Sequence, residues 1–574
     1  MRKDLSPIDK GLNYKIPAYQ LPTSQWRNGI NVQFVQGYLE KVGGWRKLFA
    51  DPLDGAVYHI DNFFTTTDDS YMMLHTPKSV YKYTNGDTAP IKITDSDLTG
   101  NIESPIIADT IQDMYVFTNQ QDYLKVWPGF GSVVTMPGSR TGDEWTANTA
   151  KIKWDVVSNE GYNYICTTAG ATGTVKPTFP TSNGTVTDGT VVWEFLGFAG
   201  LENGGSGITR CRMVVNFAGF LIVGGIYEDG THFPQRVRWT KWREPFVWKN
   251  NTDGSGQAGY VNLSDGVDWI QGGAMLGNYL VIYKERSINI FSYVGGDEVF
   301  QQRPSITGIG LLAPGGLCNL GDEHIFIGPD NVYSFDLMEP KIAGDDIAKE
   351  FFRLLDPGYT DNITNFFMEE TTLLYFGFTS INSVDHTNDM ALIYNTDTKA
   401  WSIRELPMSG FGYWEKNTDD SWDNDEETWD SDETTWDDSR DLQNAPTNLC
   451  GDHNGYIYVF GGHSKDGGDI AFSVESGLID LDDPTLLKRI TRIQFMVSRE
   501  GDYSMKVEIG TADNVDEPVV WQQTRYMSLS RTTPPWVDCD VTGRFFALRL
   551  SNDKADQPVK VYGIVVNFEM RGAV

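Results

Sequence analysis

Apolar and polar residues alternate at period two along nearly the whole chain, a pattern that commits it to strands rather than helices. An apolar or aromatic run, a polar turn and a second run ending near Tyr, Trp or Phe recur at 71–83, 114–127, 220–239, 279–293, 324–335, 373–401 and 456–462. Each reads as a β-hairpin. In IFIGPDNVYSFD, Ile325, Phe326 and Ile327 form one strand, 328–331 turn, and Val332, Tyr333 and Phe335 return. With two insertions set aside, the units start about 40–60 residues apart, the interval of four-stranded propeller blades. Such small sheets bury both faces against their neighbours, which suits 58 Gly in tight turns beside 13% aromatic residues in cores. Two stacked sandwiches with similar hairpins are the alternative. Helical periodicity is confined to 345–355, where Ile347, Phe351 and Leu354 share a face behind an acidic first turn.

A chain of 574 residues exceeds one compact core and implies two to four domains. The expected fold class is all-β: a β-propeller-like core with an inserted small β-domain and a C-terminal β-sandwich. The expected division is an N-terminal segment with the first blades over 1–150, the inserted module over 151–197, the remaining blades over 198–480, and the sandwich over 485–574. In the module, Thr187-Asp188-Gly189-Thr190 marks a tight hairpin. In the sandwich, RFFALRL alternates cleanly between core and solvent.

Forty-six Lys and Arg against 78 Asp and Glu leave a net charge of −32, which argues against a surface built to neutralise nucleic-acid phosphates or an anionic membrane. No stretch approaches the roughly 18 apolar residues of a membrane span, and no apolar region follows the basic residues at the start, so a soluble protein folded in the cytoplasm is expected. The five cysteines (Cys166, Cys211, Cys318, Cys450 and Cys539) are scattered without a C-x-x-C pair, which disfavours a disulfide framework or a zinc cluster. Phosphate-loop, nucleophile-elbow and H-E-x-x-H motifs are absent, and the glycine runs do not open a helix after a parallel strand. Of seven histidines only His453 and His463 are close in sequence, and both read as strand or turn residues rather than metal ligands. No catalytic residue, metal or cofactor is expected.

The second insertion, 414–441, holds thirteen acidic residues against Lys416 and Arg440, with Trp422, Trp429 and Trp436 seven residues apart. Its apolar area lies almost wholly in those few indoles, too little for an independent core. The reading is a solvated loop pinned by tryptophans that pack on the same or a neighbouring subunit; a cation site is the lesser alternative, since the EF-hand order and its central Gly are missing.

The stretch NGINVQFVQGYLEKVGGW, 28–45, resembles the opening of the tail hub, or nozzle, proteins of short-tailed bacteriophages, also described as phage stabilisation proteins. RVRWTKWREPFVW at 236–248, LVIYKERSINIFSYVGGDEV at 280–299, TGIGLLAP at 307–314, then 324–336 and 347–355, follow in the order of that family. The module at 161–193 is similar to small β-domains inserted in phage tail and fibre proteins, and Gly543-Arg544-Phe545 with Tyr562-Gly563 resembles the end of such chains. The likeness touches most of the chain in patches. It implies a virion structural protein of the tail, assembled in the host cytoplasm as a homo-oligomeric ring of six copies below the head-tail adaptor protein. Such a ring extends the DNA ejection channel and anchors tail fibres or spikes, with no membrane insertion and no specific grip on the passing genome. An acidic lumen would let DNA slide. Two other classes stay open: a carbohydrate-binding adhesin or receptor-binding tail protein, stacking sugars on Tyr162, Tyr164 or Trp193, and a polysaccharide-degrading propeller enzyme.

Overall fold

The computed structural model describes residues 1–573 apart from 68, 86, 102–103, 202–206, 251–256, 297 and 416–445. Seven antiparallel sheets of four or five strands follow one another along the described chain, at 59–92, 107–135, 208–262, 270–307, 317–342, 364–405 and 410–460. They are the blades of a β-propeller, numbered 1 to 7 in that order. In blade 5 the strands His324–Ile327 and Val332–Phe335 pair around a turn at 328–331, where the sequence pattern puts them. Each blade buries both faces. Phe63, Tyr115, Phe117 and Trp127 fill the gap between blades 1 and 2. Ile282, Phe220 and Phe291 fill that between blades 3 and 4, and Trp414, Leu74 and Ile457 that between blades 7 and 1. The ring is therefore closed by packing as well as by chain order.

Closure also uses the chain's beginning. Trp45–Lys47 forms the outer strand of blade 7, pairing with Ile457–Phe460. On the inner side, Gly412 lets blade 7 approach blade 1 closely, because a Cβ there would strike the backbone carbonyl of Ile60.

The sandwich is larger than the expected 485–574. One sheet runs in the order Val32–Val35, Tyr38–Lys41, Lys560–Ala573, Leu486–Val497, Trp536–Gly543, with Arg2–Asp4 added beside Lys560–Ala573. The other runs Trp26–Ile30, Phe472–Ser476, Phe545–Asn552, Ser504–Ala512, Val520–Ser528. Residues 2–41, expected with the first blades, thus belong to the sandwich, and so does 472–476. Their alternation marks them as strands, but partners more than 400 residues away leave no local trace.

One continuous core joins the sandwich to blades 5 and 6, running from Phe495, Val507 and Ile564 through Leu12 and Trp26 to Phe376, Leu392 and Trp401. The only α-helix among the described residues, Ala348–Leu354, seals this junction with Ile347 and Phe351. The inserted module, expected over 151–197, spans 143–198 between blades 2 and 3 and has its own core around Trp193 and Tyr164. Its hairpin turns at Gly189, whose φ of +63° at the first central position matches a type II′ turn.

Candidate functional site

The aromatic residues expected to stack on sugars do not form an open platform. Trp193 is fully buried and its indole N–H donates to Asp188 Oδ2 at 3.1 Å, sharing that oxygen with Trp145. Tyr164 is 1% exposed and its hydroxyl donates to the carbonyl of Pro180. Tyr162 is half-buried, stacked on Phe198 with centroids 5.3 Å apart. The strand alternation that exposed these rings to notice in the sequence is the alternation that builds the module's core, so the sugar-stacking role assigned to Tyr164 and Trp193 is corrected here. Trp422, Trp429 and Trp436 lie outside the described residues.

The concave feature that all seven blades share is a cavity of about 290 Å³ on the propeller axis. Each inner strand contributes to its wall, among them His59, Ile107, Met213, Gly272, Leu317, Thr364 and Phe411. His453 Nδ1, Asn362 Oδ1 and Thr364 Oγ1 are buried in this wall without a protein partner, a lining suited to ordered water. The axis is crossed near one mouth. Arg212, just ahead of the inner strand of blade 3, donates to Asp361 Oδ2 at 3.0 Å on the loop that leads into blade 6. The bond ties opposite sides of the ring.

Several histidines near the axis join blades. His75 Nε2 meets the Tyr115 hydroxyl at 3.0 Å between blades 1 and 2. His324 lies between blades 4 and 5, with Nε2 3.0 Å from the carbonyl of Met275 and Nδ1 2.9 Å from the Tyr283 hydroxyl. A carbonyl only accepts, so Nε2 carries the proton and Nδ1 accepts from Tyr283. Burial lowers the pKa of His324 to about 4 and keeps it neutral. His453 likewise faces the carbonyl of Asn388, joining blade 7 to blade 6. The five cysteines are buried free thiols, so none sits where a nucleophile works. Among the described residues no cluster of His, Cys, Asp or Glu has the geometry to hold a metal, and no helix is long and apolar enough to cross a membrane.

Asp109, on the inner strand of blade 2, accepts the backbone N–H of Asn216 at 2.7 Å and that of Thr110 at 2.6 Å. Burial raises its pKa to about 6, against the pull of those two bonds and with a small push from Asp61. A carboxyl whose folded pKa lies above its unfolded value stabilises the fold when protonated, and that contribution is lost as the pH rises from about 4 through about 6. Asp109→Asn removes the titrating charge but keeps only one of the two accepting oxygens, so the stability it gains relative to the wild type is expected to be about 1–2 kcal/mol larger at pH 7.5 than at pH 5. Urea midpoints at the two pH values measure this. An equal gain at both would remove the titration of Asp109 from the account.

No described protein family matches the chain. No curated protein matches it either. Solved structures similar to it are propellers at low identity. The Pan2 WD40 domain of Neurospora crassa is 10% identical with a TM-score of 0.32, over 73% of this chain and 95% of that one. Virginiamycin B lyase of Staphylococcus aureus, in selenomethionine form, is 9% identical with a TM-score of 0.35, over 73% and 98%. The Dos1 propeller is 11% identical with a TM-score of 0.30, over 74% and 95%. The likeness is one of fold, and the activities those names carry do not pass to this chain.

Arg212 and Asp361 were not marked by the sequence. They stand 149 residues apart on loops of different blades, and nothing in either neighbourhood signals the meeting.

Proposed function

We propose that this protein is a structural subunit of a short-tailed phage virion, a tail hub or nozzle component. It assembles as a ring below the head-tail adaptor, extends the DNA ejection channel and anchors fibres or spikes. The observation that carries the reading is the ordered run of stretches resembling that family, from 28–45 through 236–248, 280–299, 307–314 and 324–336 to 347–355. Those stretches include the crossing from sandwich to propeller, parts of blades 3 to 5, and the helix at the domain junction. In this reading the DNA channel is formed between subunits. The axial cavity of a single propeller, about 290 Å³ and crossed by Arg212 and Asp361, is far too small for a duplex.

Charge is consistent with a lumen that does not hold DNA. The chain's net charge of −32 leaves few uncompensated cations to hold passing phosphates. The reading assigns the chain no catalytic step and no cofactor.

Electron microscopy of the full chain, alone and with its adaptor partner, tests the proposal. A closed ring of six that forms with the adaptor is the expected result. A chain that stays monomeric with the adaptor, or that releases reducing ends from a capsular polysaccharide, would overturn it.

A further inference from the structure

A second hollow of about 250 Å³ opens beside the axial mouth, walled by the loop of blade 2 around Gln121, by blade 3 and by the start of blade 4. We propose that this hollow, built around Trp269, Arg210 and Arg212, binds one uronic-acid ring of an acidic glycan. The proposal is independent of ring assembly.

Trp269 is 49% exposed although it lines a concave site. His232 stands perpendicular to its indole at 5.1 Å and is stacked on Tyr227 at 4.3 Å. The indole is thus fixed in orientation and left open, the arrangement on which the C–H face of a sugar packs. The volume lies below the roughly 300–1,000 Å³ of sites for drug-sized ligands, which restricts the occupant to about one ring.

The polar groups select which ring. Arg210 is held by Gln121 Oε1 at 3.1 Å and lies over Tyr227; Arg212 is held by Asp361. Each guanidinium has five N–H donors, so both keep donors free for a ligand. Among the residues lining the hollow, two guanidiniums face one carboxylate, a local excess of positive charge in a chain of net −32. Gln271 is 8% exposed, and its amide Nε2 donates to Glu285 Oε1 at 3.4 Å. That bond fixes the amide orientation, and Oε1 is buried behind the wall, out of reach of a ligand in the hollow. A neutral sugar leaves the guanidiniums unmatched, and a phosphate leaves the indole unmatched. A uronic acid satisfies both through its ring face and carboxylate.

The test titrates the full chain with the methyl glycosides of glucuronic, galacturonic and mannuronic acid, following tryptophan fluorescence and ligand-observed NMR. Methyl glucoside and inorganic phosphate serve as comparators. The expected result is saturable binding of at least one uronide, at least about tenfold tighter than either comparator, and weakened at least about tenfold by Trp269→Ala and by Arg210→Ala. If either variant fails to fold, the preference of the wild-type chain and the variants Trp269→Leu and Arg210→Gln take their place. Absence of saturable uronide binding, equal binding of glucoside or phosphate, or unchanged binding without the indole would each overturn the proposal. A ring that ignores uronides refutes this site and leaves assembly standing; uronide binding by a chain that forms no ring does the reverse.

Discussion

A chain lacking residues 1–47 is expected to yield no cooperatively folded protein. Those residues supply strands to both sheets of the sandwich and the outer strand of blade 7. Leu5, Ile8, Leu12, Trp26, Val32, Phe34, Leu39, Val42 and Trp45 are all 5% exposed or less. At roughly 1.5–3 kcal/mol for each such side chain, their loss reaches or exceeds the roughly 5–15 kcal/mol that holds a typical protein folded. The damage extends beyond area. Without Trp45–Lys47 the strand Ile457–Phe460 becomes a bare edge open to aggregation, and Phe472–Ser476 loses its partner strand Trp26–Ile30. Soluble yield, circular dichroism and a thermal melt of the truncated chain measure the effect. A sharp transition near that of the full chain would mean that the two domains hold without the N-terminal strands.

The same residues show where the sequence could be read and where it could not. The hairpins at 71–83 and 324–335 and the helix within 345–355 rest on periodicity and turn chemistry inside a short window, and the structure has them there. The N-terminal strands were recognisable as strands, yet Arg2 pairs with Asn567 and Leu39 with Val561, and no window of sequence contains both members. Aromatic residues misled for a physical reason: Trp193 and Tyr164 sit at inward positions of their strands, whereas the exposed indole, Trp269, immediately precedes the inner strand Ile270–Leu276 of blade 4 and shows no alternation of its own. Both concave sites draw on several blades, so Arg212 and Asp361 become neighbours only when the ring closes.

Blade 3 carries the largest single-residue effect we expect. Its central hairpin, Phe220–Glu228 with Thr231–Trp239, buries an ionic cluster. Glu228 and Arg238 are fully buried and Arg236 nearly so. Glu228 accepts a two-pronged contact from Arg238, at 3.1 Å from Nε and 2.9 Å from Nη2, and a third bond from Arg236 at 3.2 Å. Two further donors are met, Arg238 Nη1 by the carbonyl of Trp248 and Arg236 Nε by Asn262 Oδ1, and the Arg236 guanidinium lies 3.6 Å from the Phe233 ring centroid. Such a cluster need not be a net source of stability, because desolvating three charges costs about what their attraction returns. Breaking it is another matter. Glu228→Gln leaves two guanidiniums buried without a counter-charge and is expected to cost about 3–5 kcal/mol, read as a lower denaturation midpoint. The double variant Glu228→Gln, Arg238→Met removes the cation that most needs Glu228 and should recover about 1–2 kcal/mol of that loss. Because the turn after Glu228 holds His232 against Tyr227, the single variant should also disorder the aromatic wall at the axial mouth, visible as a changed tryptophan emission. Additive losses in the double variant would show that Glu228 and Arg238 contribute through packing alone and that the ion cluster carries no coupling.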